Sequence, residues 1–284
     1  MNSANPLSMY MRQPKIYIRL PSQGKFWPEG SLEATDTGEY PVYSMTAKDE
    51  LSLKVPDALM NGQAVVDVIQ HCMPNIKNAW HVTSLDLDVI LIAIRLATYG
   101  EIMTTPVTVG DGTEMEYQVD LRVIMDQLQN QIQWIDAVPL ADNLTAFVRP
   151  LNYRQISTTA VKAFETQKLM QVVNDEKIEE AEKVKMFSQG FKTLSDATIA
   201  TISDSVDRID TPQGSVSDPK IIRDFVENAD KDIFSKVEQH LQTLRDQNAI
   251  KPLRVAVTDE MREKGTTGDI IEIPITFDPA TFFV

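Results

Sequence analysis

The stretch Thr83–Gly100, TSLDLDVILIAIRLATYG, decides how the rest of the chain is read. Thr83 and Asp86 have the spacing of a capping box, in which a hydroxyl and a carboxylate satisfy the first free amides of a helix. Gly100 supplies the residue that ends it. Between these signals the segment is apolar nearly all round, so a helix over 84–99 is expected at the centre of the fold. Arg95 lies inside the run. An unpaired buried guanidinium is costly, so a structural ion pair or a snorkelled head group is expected there. Val89 to Ala97 is the most apolar run, and it falls far short of the ~20 residues that a bilayer requires.

Working towards the N-terminus, Thr46 and Asp49 form a second capping box, opening a short helix that runs to about Lys54 and is closed by Pro56. Residues 57–73 read as helical, with Gly62 as a weak point. Ile16, Ile18 and Leu20 alternate with Tyr17 and Arg19 as a strand does, and Tyr40 to Ser44 reads as another. Pro21, Ser22 and Gly24 stop the first strand, so Phe26 and Trp27 sit on a loop beyond it. They fold back on the core or reach for a partner. Residues 1–14 read as a flexible tail.

Towards the C-terminus, 105–119 reads as a hairpin turning at Gly110-Asp-Gly112, followed by a helical stripe from Leu121 to about Trp134. From Tyr153 to Ile209 the pattern is helical. Phe187, Phe191 and Leu194 form one stripe, and Ile199, Ile202, Val206 and Ile209 repeat as a coiled-coil seam or a bundle face. TPQGSVSDP, 211–219, reads as a linker whose Asp218 and Pro219 open the next helix. A further helix carries Ile233, Val237, Leu241 and Leu244. A second hairpin, 253–277, encloses a polar loop. The fold class expected is α+β: a mainly helical body, an N-terminal strand/loop arm and two hairpins. Its domains are 15–150 around the central helix, 151–250, and 251–284.

The 284 residues carry a formal charge of −14, which disfavours nucleic acid and anionic membranes, since phosphate contact needs clustered Lys and Arg. MNSANPLSMYMRQPK lacks the apolar core of a signal peptide, so a cytosolic setting is expected. One cysteine, Cys72, excludes an internal disulfide. Beside His71 it invites a metal reading, but only three histidines are present and a small buried hydrophobe explains it better. Asp204, Asp207 and Asp210 are spaced like a metal comb yet read as water-facing. No phosphate loop, dinucleotide fingerprint, zincin motif or nucleophile elbow occurs. No catalytic residue, cofactor or metal is therefore assigned. The apolar residues near the two ends, Phe26, Trp27, Phe282, Phe283 and Val284, are expected as pegs into neighbouring subunits; folding back onto the body is the alternative.

Taken in order, LPSQGKFWPEG (20–30), VYSMTAKDEL (42–51) and DLDVILIAIRLATYGE (86–101) resemble the baseplate hub subunit family of T-even-type contractile-tailed bacteriophages. YQVDLR (117–122) and FDPATFF (277–283) also look like family features, whereas 150–250 matches nothing recognised. The resemblance implies a structural or assembly role in the tail without catalysis. Its partners would be other baseplate hub proteins or the tape-measure protein, with assembly in the host cytoplasm and a place in the virion. A transient chaperone for those chains is the alternative, and a hydrolase or metalloenzyme a remote one. Some relatives have cysteine pairs in the hairpins, like zinc ribbons. This chain has Thr, Val, Gly, Asp and Glu there, so its hairpins are expected to be metal-free and held by packing.

Overall fold

The computed structural model describes residues 11–55, 62–131, 133–173, 179–275 and 282. Helix α3, Ser84–Tyr99, lies at the centre as its composition requires: Val89, Ile90, Ile92, Ala93 and Ile94 have no exposed surface. It ends where Gly100 takes φ 90°, a conformation that costs glycine little. Around α3 pack the strand pair β1 (Ile16–Ile18) and β2 (Tyr40–Val42), helix α1 (Ala47–Leu53) and helix α2 (Gln63–Cys72). The helix expected over 57–73 begins only at Gln63. Gly62 stands before it at φ 80°, outside helical geometry, and residues 56–61 lie outside the described residues.

Next come the hairpin β3 (Ile102–Thr108) and β4 (Glu114–Asp120), then helix α4 (Leu121–Gln131). Further on, β5 (Ala137–Ala141), β6 (Leu144–Val148), β7 (Val206–Thr211) and β8 (Gly214–Val216) form an antiparallel sheet in that order. Between β6 and β7 the chain leaves as a helical hairpin, α5 (Tyr153–Val173) and α6 (Glu180–Ser205). Helices α7 (Pro219–Asn228) and α8 (Lys231–Asn248) complete a second core, in which Leu140, Val148, Ile209, Ile222 and Leu244 are buried.

Here the structure departs from the periodicity. Val206 and Ile209 do not continue the helical stripe of Ile199 and Ile202; the helix stops at Ser205 and they enter the sheet opposite Val148 and Ala146. Spacings of three and four fit a helix face, but β-branched residues suit a strand once a partner is available. The expected linker 211–219 is a turn, strand β8 and the Asp218 cap of α7. The β5–β6 hairpin was not anticipated, although Val138 and Leu140 alternate and Asn143 takes a turn-type φ of 62°.

The C-terminal hairpin, β9 (Leu253–Ala256) with β10 (Ile270–Ile273), encloses the short helix α9 (Asp259–Glu263) in place of a simple polar loop. It is not a separate unit, because Ile273, Ile275 and Phe282 enter the α3 core. Segment 137–148 conversely belongs to the second core. The two hairpins dock on each other through Val109, Val257 and Met261. The Asp111 N–H donates to the Lys264 carbonyl at 2.8 Å, and a Cβ on Gly110 would lie 2.1 Å from the Gly265 oxygen. Gly110→Ala is therefore expected to cost about 1–3 kcal/mol by overpacking. The check is a lower urea midpoint at unchanged slope.

Candidate functional site

The loop carrying Phe26 and Trp27 is tied to the central helix. Asp86, in the first turn of α3 and fully buried, accepts hydrogen bonds from the Ser22 N–H (2.8 Å) and the Trp27 indole N–H (2.8 Å). It also accepts from the hydroxyls of Ser22 (2.6 Å) and Thr83 (2.8 Å). Burial pushes its carboxyl above the usual range, against the pull of these donors. The Thr83/Asp86 spacing thus serves a longer-range purpose: the Thr83 hydroxyl caps no backbone amide, and the carboxylate gathers the loop. Gly24 takes φ 80° and Phe26 takes φ 74°, an uncommon value for a bulky residue. Phe26 meets Trp134 edge-on at 6.0 Å, and Trp27 packs half-buried against the α3 core.

Phe282 is likewise a core residue, 3% exposed. Its carbonyl accepts from Arg95, whose guanidinium stacks over the Phe282 ring (5.2 Å) and the Tyr99 ring (5.3 Å). The ion pair expected for Arg95 is replaced, among the described residues, by a carbonyl and two aromatic faces, with Nε unpartnered. Trp27 and Phe282 therefore sit on the chain's own core instead of projecting as free pegs; Phe283 and Val284 lie outside the described residues. Thr46 and Asp49 form their capping box, and Asp49 also binds His71 Nδ1 at 2.7 Å. Burial pushes the Cys72 thiol up to about 12, leaving it inert. Among the described residues no cluster suits a metal, and no helix is long and apolar enough to cross a membrane.

A spaced series of exposed large apolar side chains lies on the α5–α6 hairpin. The face of α6 turned to the body carries small or slender side chains: Gly190 is buried, and Thr193 and Ala197 are half-buried. The large residues point away: Val184 is 69% exposed, Phe187 48%, Phe191 54% and Leu194 40%. A surface helix normally buries its large apolar residues and exposes its small and polar ones. From Val184 to Leu194 that order is reversed, whereas Ile199 and Ile202 nearer the end of α6 pack into the second core. The 3-4-3 spacing of Val184, Phe187, Phe191 and Leu194 continues through Thr198, Thr201 and Ser205 as one stripe. Leu194 and Thr198 enter a groove of about 340 Å³ between α5, α6 and α8. Thr201 and Ser205 enter a cavity of about 490 Å³ bounded also by the start of α3.

Asp88 of α3 lines that cavity, half-buried and without a hydrogen bond or ion pair among the described residues. Burial raises its carboxyl to about 6 from 3.8. The folded chain holds this proton more tightly, so the group costs nothing below pH 3.8, and its cost grows as pH rises towards about 6. Asp88→Asn should match the wild type in thermal melts near pH 3.5 and exceed it at pH 7.5, by at most about 3 kcal/mol.

A family model described as T4 bacteriophage base plate protein matches residues 13–255. This chain belongs to that family. It is a structural protein of the phage tail baseplate, whose contacts are with other baseplate proteins. The match bears out the likeness of residues 15–121 to baseplate proteins and extends it through the helical middle. No curated protein and no solved structure matches the chain. The Phe187–Leu194 stripe of this baseplate protein was legible in the sequence, but its outward orientation was not. Asp88 as a cavity-lining acid has no signature in the sequence: a lone acid two residues past a capping position carries no signal of its own.

Proposed function

We propose that this baseplate protein acts in forming the baseplate hub, and that it docks a helix of another tail protein along the exposed stripe of α6. One observation carries the reading: the largest apolar side chains of a 26-residue helix lie on the face that its own chain leaves uncovered. Each large apolar side chain covered on docking contributes on the order of 1.5–3 kcal/mol. An amphipathic helix laid in a groove is a recurrent way of covering such a stripe. The trough between α5 and α8 gives that helix a track along α6.

Peptide mapping of purified virions tests the hub role. Stoichiometric recovery of this chain with baseplate proteins is expected of a resident component. Recovery from assembly intermediates but never from mature particles would replace it with the chaperone reading.

A further inference from the structure

We infer that the helix docked along α6 carries a lysine or arginine that enters the cavity at the foot of the stripe and pairs with Asp88. The inference rests on the docking reading and names the partner's chemistry: an amphipathic helix with a basic residue at the end that meets α3.

Two acceptors on residues that line this cavity, one half-buried and one buried, have no donor among the described residues. Asp88 has no partner among the described residues, and Asn248 Oδ1 is buried without a hydrogen bond. The amide of Asn248 cannot simply be turned round, because its Nδ2 already donates to the Leu244 carbonyl at 2.8 Å. Asp88 is the acceptor on the cavity wall that calls for a donor, and a cation satisfies both hydrogen bonding and charge.

The chain's own cations do not fill the role. Arg149 is exposed and engaged with the Asp204 carbonyl (3.3 Å) and the Asp207 carboxylate (3.6 Å). Arg245 lines the cavity from α8 but is exposed to water and makes no ion pair with Asp88. The cavity-lining residues of α5 and α6 are uncharged. Solvated charges lose little by staying unpaired, whereas a half-buried carboxylate does not. The net charge of −14 also favours a basic partner over a second copy of the chain.

The distance is suitable. From Phe187 to Ser205 a helix advances roughly 27 Å at 1.5 Å per residue, so a partner helix of about 18 residues spans both stripe and cavity.

The test is tail assembly at neutral pH with full-length variants. Asp88→Asn, which is expected to be no less stable than the wild type, should reduce incorporation into tails roughly 30-fold or more. Asp88→Lys should abolish it. A photo-crosslinking residue at Ile156, in the cavity wall, should capture an amphipathic segment of another tail protein bearing Lys or Arg. Reversing that residue to Asp should then rescue Asp88→Lys. Wild-type incorporation of Asp88→Asn would overturn the inference, as would capture of a segment without a basic residue or of a second copy of this chain. If Phe187→Asp/Phe191→Asp still fails to assemble in that case, the docking reading survives; if it assembles normally, the docking reading falls as well.

Discussion

Phe187→Asp/Phe191→Asp is expected to leave the isolated protein folded and to remove it from assembled tails. Both rings lie outside the two cores, so their loss should change stability by only about 0.5 kcal/mol each, part of it the contact between the rings at 4.9 Å. Aromatic anchors at protein interfaces commonly contribute 2 kcal/mol or more each. Two lost anchors, with a carboxylate desolvated at each position, predict a fall in incorporation of at least roughly a thousandfold. Circular dichroism and thermal melting should match the wild type, while immunodetection in purified tails fails. Ile270→Asp is the control: it is 60% exposed but lies on β10, away from the hairpin, and should assemble normally. Equal loss in both variants would mean that surface apolarity in general is required, and not this stripe.

The second large effect falls on stability. Asp86→Ala should destabilise the fold by about 3–5 kcal/mol, because it leaves several buried donors without an acceptor. These are the Ser22 and Thr83 hydroxyls, the Ser22 N–H and the Trp27 indole. The loop from Leu20 to Trp27 is held in positive φ at Gln23, Gly24 and Phe26, and the Asp86 contacts are what offset that conformation. Release should therefore be cooperative, with Trp27 moving into water. Chemical denaturation measures the stability change, and a red shift in tryptophan emission before global unfolding would report the loop. Trp27→Phe removes one of the four bonds and should cost about 1–2 kcal/mol. If Asp86→Ala costs no more than Trp27→Phe, the carboxylate is not the anchor of the loop.

Much of the fold was legible because its signals are local. The apolar circumference of 84–99, the capping box at Thr46 and Asp49, the turn at Gly110-Asp-Gly112 and the Asp218-Pro219 start each operate within a few residues. The elements that the sequence does not show depend on distant partners. The spacing of Val206 and Ile209 fits a helix face as well as a strand that has found a partner, and β6, some 60 residues earlier, decides between them. Strands β5 and β6 carried only a short alternation and a turn, a weak signal without the second pair of strands beside them.

By itself, then, the sequence determined the α+β class, the central helix, the acidic surface and the absence of common catalytic motifs. Those follow from composition and short-range periodicity, which the chain carries wherever it folds. Tertiary structure decided which apolar residues are covered. Asp86 meets Trp27 across 59 residues and Arg95 meets Phe282 across 187, so Trp27 and Phe282 turn inward while an ordinary-looking stripe on α6 stays open. Burial is a property of distant neighbours. A pattern of apolar spacing shows that a face seeks cover, and only packing shows whether the same chain provides it.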